Sequence, residues 1–219
     1  MYRKIIGFFR MYFHLYTQRN LRQLKAICEE LSRIGPKAIK KKVFVMTVGF
    51  SKAGKTVLVN KNKKLKELFN LSTNTIHNCL NQNFQFLKDD NTVNGKAYWE
   101  RQFLTRLTRR KVLENVLSQG IGVINDSSNL NRRERRQRLK IARRYSYKII
   151  IIVVNCSKEV LLSRLQRFDD ELAASGKKRT WMNLYAIQKE RYDPPLKNEA
   201  DVIVSFNSEE DNPMALTLW

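Results

Sequence analysis

A glycine-rich octapeptide, residues 49–56 with the sequence GFSKAGKT, constrains the fold of this chain more than any other feature. It follows the apolar run Val43–Val48, which is short and β-branched, as expected of a buried parallel strand. The octapeptide matches G-x-x-x-x-G-K-[ST] throughout, and residues 55–66 read as a helix. Such glycines let successive backbone N–H groups point toward phosphate oxygens, and the helix adds its positive end. The sequence therefore predicts a phosphate loop at residues 49–56.

This phosphate loop predicts a site for ATP and Mg²⁺. Lys55 is expected to bridge the β- and γ-phosphates, and the Thr56 hydroxyl is expected to ligate magnesium. The predicted nucleotide-binding residues are Gly49, Ser51, Lys52, Ala53, Gly54, Lys55, Thr56 and Val57.

The loop specifies a nucleotide but no reaction. The sequence contains no N-K-x-D motif, which GTPase switches usually carry. It also contains no apolar strand-like run ending in Asp-Glu, which motor and AAA-type ATPases usually show. The chain has 219 residues, the length of one ordinary domain. These features favour a small kinase.

Strand-like and helical segments alternate after residue 42. Further strands are predicted at 69–72, 121–125, 148–154 and 201–206, and helices at 74–82, 97–118, 131–145, 157–168 and 181–191. The alternation predicts an α/β fold with a parallel sheet flanked by helices. Residues 1–36 are expected to form a basic helical extension, whose first part packs on the domain or lies on a membrane or nucleic acid. Residues 37–219 are expected to form the kinase domain, with a lid at about 164–182.

The charge of the chain predicts a polyanionic partner. Lys and Arg number 42 against 20 Asp and Glu, a net charge of +22, which attracts nucleic acid, anionic membrane or phosphorylated small molecules. Three cysteines, Cys28, Cys79 and Cys156, form no disulfide framework and favour a reducing, cytoplasmic location. No segment approaches the ~18 apolar residues of a membrane span.

A polar cluster follows the predicted strand 121–125. It comprises Asp126, Ser128 and Asn129, with Arg132 and Arg133 just after. Ligands of parallel α/β sheets bind at the carboxyl ends of strands, so the cluster is placed to meet magnesium, water or the acceptor. The same residues cap helices well, and the two roles are compatible.

Four features in order resemble the P-loop 5′-hydroxyl polynucleotide kinases and their zeta-toxin-like relatives. They are the phosphate loop, the D-x-[ST]-N cluster at 126–129, the Arg-bearing helix 162–167, and the stretch 189–195, KERYDPP. The resemblance covers about residues 43–206. It implies a sheet of the P-loop NTPase kinase type and transfer of the ATP γ-phosphate to a 5′-hydroxyl end of nucleic acid. It also points to Arg164 and then Arg167 as lid arginines that stabilise transition-state charge.

The chain departs from this family where the acceptor hydroxyl should be activated. The resemblance places a catalytic Asp after the second strand, where this sequence has Asn74, and a phosphate-holding basic residue where it has His77. An amide cannot take a proton, and loss of a general base costs ~10²–10⁴ in rate. Slow transfer and no transfer both fit this departure.

Two alternatives follow from these observations. One is a kinase for a nucleoside, sugar or nucleotide-sugar acceptor. The other is a pseudokinase that binds nucleotide and nucleic acid without chemistry, which Asn74 favours. Helix 131–145 carries eight Arg and Lys residues and favours the polymer, although a solvated surface helix has the same composition.

Overall fold

A computed structural model describes residues 17–33, 38–87, 95–176 and 178–218. The chain divides into two compact units. A helical unit takes the residues up to 33 together with 74–112, and a sheet unit takes 34–73 together with 113 onward. These units are not the two segments predicted from the sequence, 1–36 and 37–219. The helical unit also includes residues 74–112, which come from the second of those segments. The predicted helix over 1–16 lies outside the described residues.

The elements are numbered here over the described residues. The strands are β1 (Val43–Val48), β2 (Phe69–Asn70), β3 (Val123–Asn125), β4 (Lys148–Asn155) and β5 (Val202–Asn207). The α-helices are α1 (Gln18–Leu31), α2 (Lys55–Lys61), α3 (Lys63–Lys66), α4 (Thr73–Asn83), α5 (Lys96–Ser118), α6 (Arg132–Arg144), α7 (Lys158–Ala174) and α8 (Trp181–Glu190). Two 3₁₀ turns lie at Gln85–Leu87 and Lys197–Glu199.

The five strands form one parallel sheet in the order β2–β3–β1–β4–β5. Strand β1 lies at the centre, between β3 and β4, and all its residues are buried. Helices flank the sheet, which confirms the predicted P-loop NTPase kinase fold. Because parallel strands end at one edge, the loops after β1 and β3 meet there.

The core of the sheet unit forms where apolar side chains of the strands meet helix α2. Val45, Ile150, Ile152, Leu58 and Phe206 belong to one cluster in which each is at most 2% exposed. Burial of each such side chain contributes roughly 1.5–3 kcal/mol to folding. This core fixes the position of α2, and with it the end of the phosphate loop.

Two helix boundaries differ from the sequence prediction. The predicted helix 55–66 is interrupted at Asn62, which is extended (ψ 121°) and buried. Its Nδ2 donates to the carbonyl oxygens of Pro213 (2.8 Å) and Leu216 (3.0 Å), so a distant segment causes the break. Helix α7 continues to Ala174, six residues beyond its predicted end at 168.

The helical unit contains α1, α4 after Thr73, and most of α5. The first of these helices buries Ile27 and Cys28, and Thr17 caps its N-terminus, so the predicted N-terminal helix is present. All three cysteines of the chain are free thiols. Within the described ranges, no helix combines the length and apolarity that crossing a membrane requires.

Candidate functional site

The phosphate loop has the backbone that its glycines predict. Gly54 has a φ of 103° and is the N-cap residue of α2. A Cβ on Gly54 would lie 2.7 Å from the Cβ of Ser208, and a Cβ on Gly49 would lie 2.4 Å from the carbonyl oxygen of Val154. Neighbouring chain therefore excludes a side chain at both positions.

The side chain of Lys55 folds back into its own loop. Its Nζ donates to the carbonyl oxygens of Gly49 (3.0 Å) and Phe50 (2.6 Å). Burial lowers the pKa of Lys55 to about 8, although the carboxylate of Asp126 acts in the opposite direction. The ammonium group is still mostly charged at neutral pH, so the loop contains the cation that a phosphate requires.

A carboxylate at the end of β3 meets hydroxyls of α2 and β1. Asp126 accepts a hydrogen bond from Thr56 Oγ1 (3.2 Å) and a long one from Thr47 Oγ1 (3.4 Å). Burial raises the pKa of Asp126, whereas Lys55 and the two hydroxyls lower it. A buried carboxylate of this kind is stabilised by a nearby cation.

Thr56 and Asp126 fit a magnesium ion. Hydroxyl and carboxylate oxygens are hard ligands, and Mg²⁺ typically takes one or two carboxylates and completes its shell with water and substrate phosphates. Nowhere in the described chain do three His, Cys, Asp or Glu side chains cluster as a metal site. The metal role predicted for Thr56 stays a prediction.

Asn129 connects the loop after β3 to β1 and α6. It has a φ of 47° and is 4% exposed. Its Nδ2 donates to the carbonyl oxygen of Thr47 (2.7 Å), and its Oδ1 accepts from Asn125 Nδ2 (3.1 Å) and from Arg138. These contacts saturate the amide, which therefore shapes the loop that presents Asp126.

The N-cap of α6 is Asn131, whose Oδ1 accepts from the backbone N–H of Glu134 (3.2 Å). The helix-capping role predicted for residues 126–129 is therefore filled by Asn131, which follows them.

Gln188, on helix α8, contacts the first half of the phosphate loop. Its Oε1 accepts from the backbone N–H of Ser51 (3.0 Å), and its Nε2 donates to Ser51 Oγ (2.8 Å). The same nitrogen lies 3.5 Å from Ser128 Oγ, and the Ser128 carbonyl accepts from the Gly49 N–H (3.0 Å). One carboxamide therefore links α8, the phosphate loop and the loop after β3.

Aromatic rings on α8 and just after it reinforce this contact. The ring of Phe50 packs against Tyr185 and Tyr192, with centroids 5.4 and 5.3 Å apart. Because Phe50 precedes Ser51, these rings position α8 against the loop.

Lys52 lies between two lid aromatics. Its Nζ is 3.3 Å from the ring centroid of Phe168 and 4.0 Å from that of Trp181. Its backbone is left-handed (φ 66°), and its carbonyl accepts from Arg164 NH1 (3.3 Å). Burial lowers the pKa of Lys52. The loop turn is thus held by α7 and α8 together.

The two predicted lid arginines differ in their contacts. The NH1 group of Arg164 donates to the carbonyl of Lys52 and to Ser208 Oγ (3.2 Å), so Arg164 lies at the phosphate loop. Arg167 is exposed and pairs with Glu171 at 3.6 Å on α7. The catalytic roles of both residues stay predictions, and the geometry favours Arg164.

Asp169 connects α7 to the N-terminus of α8. Its carboxylate accepts from the backbone N–H groups of Thr180 (2.7 Å), Trp181 (2.8 Å) and Met182 (3.0 Å). Burial raises its pKa, but the three N–H donors outweigh that effect and hold the pKa below its usual value. Asp169 thus caps the N-terminus of α8. Most of the segment 164–182, predicted to be a lid, lies in α7 and the start of α8.

The arginines of α6 separate into buried and exposed sets. Arg135 is fully buried and forms a bidentate pair with Glu199 (2.8 and 2.9 Å). Its NH1 also donates to the carbonyls of Asn129, Leu130 and Asp193. Arg135 therefore holds the cluster 126–129 and the stretch 189–195 in place and is unavailable to a ligand.

Basic residues at the start of α6 line a groove of about 450 Å³. They are Arg132, Arg133, Arg136 and Lys140, with Asp193 beside them. One of them, Arg132, is half-buried, and its Nε lies 3.6 Å from Glu199. The Asp193 carboxylate accepts from the backbone N–H of Arg132 (3.2 Å). The groove includes both arginines predicted to bind substrate, and their role there stays a prediction.

Two predicted site residues belong to the helical unit. Asn74 is exposed in the first turn of α4. Burial and the positive charges of Arg101 and Arg109 lower the pKa of His77 to about 4. His77 is therefore neutral at pH 7 and supplies no positive charge. The roles of Asn74 and His77 stay predictions.

The structure brings together the phosphate loop, Asp126 and Arg164, which the sequence predicted as site residues. Among the other predicted nucleotide ligands, Ala53 is buried, whereas Val57 is 52% exposed and would contribute only its backbone. Sequence reasoning missed Gln188 and Thr47. Thr47 had a signal, since it is a hydroxyl in an otherwise apolar strand, but nothing in the sequence marks Gln188.

The sequence profile of the AAA_33 family, described as an AAA domain, matches residues 44–195. The absence of an apolar strand ending in Asp-Glu had argued against AAA-type ATPases, whereas the profile match shows an AAA domain in a chain whose described strands lack that ending. No curated protein matches the sequence.

Several solved structures share the fold. A structure of the PezAT chromosomal toxin–antitoxin system of Streptococcus pneumoniae has a TM-score of 0.64 and 14% identity, covering 89% of this chain and 79% of that chain. A candidate kinase from Chloroflexus aurantiacus has a TM-score of 0.57 and 16% identity, covering 79% and 90%. A sugar kinase from Janibacter sp. has a TM-score of 0.50 and 13% identity, covering 78% and 88%. At these identities the likeness concerns the fold.

Proposed function

Because the profile match spans more than half of the chain, the chain belongs to the AAA domain family, and we propose that it is an ATP- and magnesium-dependent phosphotransferase acting on a 5′-hydroxyl end of nucleic acid. One observation carries the proposal. Lys55, Thr56 and Asp126 converge at the carboxyl edge of a parallel sheet, beside a loop that only glycine permits. The free thiols support a cytoplasmic location.

The residues of the phosphate loop supply positioning and charge. Lys55 exchanges its two carbonyl acceptors for phosphate oxygens and places a positive charge where negative charge develops. Thr56 and Asp126 would hold a magnesium ion, which would help to neutralise the charge of the phosphates. Arg164 keeps the turn at Lys52 closed and adds a second positive charge at the loop.

The groove on α6 supports a polyanionic acceptor. Four basic side chains surround one acid there, and three of the four are arginines, which pair bidentately with phosphate. The start of α6 directly follows the cluster 126–129, so the groove begins next to the loop that carries Asp126. A nucleic-acid strand has the repeated phosphates that such a surface binds.

The amide of Asn74 leads us to expect a low rate of phosphate transfer. An amide in the first turn of α4 cannot accept the proton of a hydroxyl acceptor, so the chain lacks the base that the resemblance implies at this position. Positioning and charge stabilisation dominate phosphoryl transfer. We therefore expect slow transfer rather than none.

A small-molecule acceptor is the second candidate, because the similar structures include a sugar kinase. A small acceptor would not need the groove on α6. Substitutions in that groove therefore separate the two candidates.

The test is transfer from γ-labelled ATP to a 5′-hydroxyl oligonucleotide and to a panel of nucleosides and sugars. Label on the oligonucleotide is expected, and label on small acceptors alone would reject the nucleic-acid assignment. Arg136→Gln is expected to weaken oligonucleotide binding and to reduce its log–log salt slope by about one. Arg106→Gln, an exposed change in the helical unit, is its control.

Asn74→Asp is expected to raise the transfer rate about 10²-fold by restoring a base. Asn78→Asp adds the same charge at another exposed position of α4 and should leave the rate unchanged. Failure of the chain to bind ATP would reject the kinase assignment altogether.

A further inference from the structure

The contact between Gln188 and Ser51 places a neutral side chain on a donor of the phosphate loop. Gln188 Oε1 accepts the backbone N–H of Ser51 at 3.0 Å. Lys52, the next residue, is left-handed, and this backbone conformation occurs in anion-binding turns whose N–H groups converge. A carboxamide oxygen therefore satisfies a loop donor that an anionic oxygen would also satisfy.

The position of helix α8 does not depend on this carboxamide. The ring of Tyr185 on α8 and that of Tyr192, two residues after the helix, pack on Phe50, and Trp181 covers Lys52. These contacts hold the helix against the loop, and Gln188 itself is only half-buried. The two hydrogen bonds to Ser51 are thus additional to the packing that fixes the helix.

The end of the loop that Gln188 contacts can be assigned to the terminal phosphate. The N-terminus of α2 begins after Gly54, three residues beyond Ser51. The loop holds the β- and γ-phosphates through its backbone and its lysine. Lys55 Nζ now contacts the carbonyl of Phe50, the residue before Ser51. The lysine therefore extends from the helix end of the loop to the half that contains Ser51.

We propose that Gln188 is a positioning residue whose side-chain oxygen accepts the Ser51 N–H in the free protein. When a nucleoside triphosphate binds, the Ser51 N–H turns to its terminal phosphate, and the side-chain nitrogen of Gln188 donates to the same phosphate. This inference rests on the proposed function. A carboxamide suits both states, since its oxygen accepts from Ser51 and its nitrogen can donate to an anionic oxygen. A carboxylate would keep the first contact and repel the phosphate.

The proposal predicts that a charged side chain at position 188 changes the affinity for ATP more than the affinity for ADP. Gln188→Glu is expected to weaken ATP binding about tenfold or more and ADP binding by less than about threefold, because only ATP carries the terminal phosphate. Gln188→Lys is expected to act with the opposite sign and to strengthen ATP binding more than ADP binding. A purely structural role for Gln188 would make both variants weaken both nucleotides alike.

Isothermal titration calorimetry of the full chain with MgATP and MgADP at fixed ionic strength measures these affinities. Gln119→Glu and Gln119→Lys make the same charge changes at an exposed residue after α5 and control for the overall field of the protein. Thermal unfolding of each variant confirms that it folds.

Equal shifts for ATP and ADP, or shifts at position 188 no larger than those at 119, overturn the role of Gln188 and leave the proposed function intact. A wild-type chain that binds neither nucleotide overturns both.

Discussion

The two halves of the phosphate loop are held by different means. In the second half, Gly54 provides the left-handed turn and Thr56 meets Asp126, so the loop and the neighbouring strand suffice. In the first half, Ser51 and Lys52 are held by side chains of α7 and α8. The second half therefore has contacts that the motif itself predicts, whereas the first half depends on contacts with α7 and α8 that the motif does not predict.

The largest effect is expected in the second half, at Lys55. Lys55→Met should lower the rate of phosphate transfer about 10³-fold, because it removes the charge that stabilises the transferred group. Lys61→Met removes the same charge from an exposed position of α2 and is the matched control. Similar losses for the two variants in a transfer assay would show that net charge, rather than the loop, accounts for activity.

Asp126→Asn tests the magnesium ligands of the second half. The amide keeps the shape but loses the charge that attracts Mg²⁺, so we expect an approximately 10²-fold lower rate and a higher magnesium requirement. Titration of activity with magnesium measures both quantities. Asp170→Asn, at an exposed position of α7, should change neither. An unchanged magnesium dependence in Asp126→Asn would place the ion elsewhere.

The pKa of Lys55 gives a pH prediction. Its pKa is about 8 in the folded chain against 10.5 for a free lysine. The unfolded state therefore binds more protons between these values, and the unfavourable contribution of Lys55 to stability is lost as the pH rises through this range.

Phosphate favours the charged lysine, so ATP binding at pH 8 should take up about half a proton and should weaken at higher pH. Calorimetry in two buffers of different ionisation enthalpy measures the uptake. Lys55→Met should abolish it, and uptake that survives this substitution would point to another group.

The smallest effect is expected in the first half, at the stacking of Lys52 on Trp181. A double-mutant cycle with Lys52→Met and Trp181→Leu should give a coupling of about 1 kcal/mol in the free energy of unfolding. Urea denaturation of the four proteins measures it. A coupling near zero would mean that the lid is held by Phe50 and Gln188 without Lys52.

Local pattern was enough to predict most of the fold. The short β-branched runs and the helical periodicity predicted the five strands and the parallel sheet, since such patterns depend on near neighbours. The break at Asn62 was not predictable, because the carbonyls that cause it lie more than 150 residues away in the sequence.

The candidate site divides in the same way. The predicted loop, Asp126 and Arg164 lie together, but the residues that hold them were recognised only from the fold. Arg135 counted in the sequence as one of eight basic residues of a nucleic-acid-binding helix, yet it is fully buried against Glu199, 64 residues away. Composition cannot separate a buried arginine from an exposed one.

The sequence by itself determined that this chain has a phosphate loop between a strand and a helix, because the shape of that loop depends on two glycines only five residues apart. Tertiary structure alone decided which cations remain free for a ligand and that Gln188 contacts the loop. The physical reason is that hydrogen bonding and burial depend on groups brought together across the whole chain, and Gln188 and Ser51 are 137 residues apart.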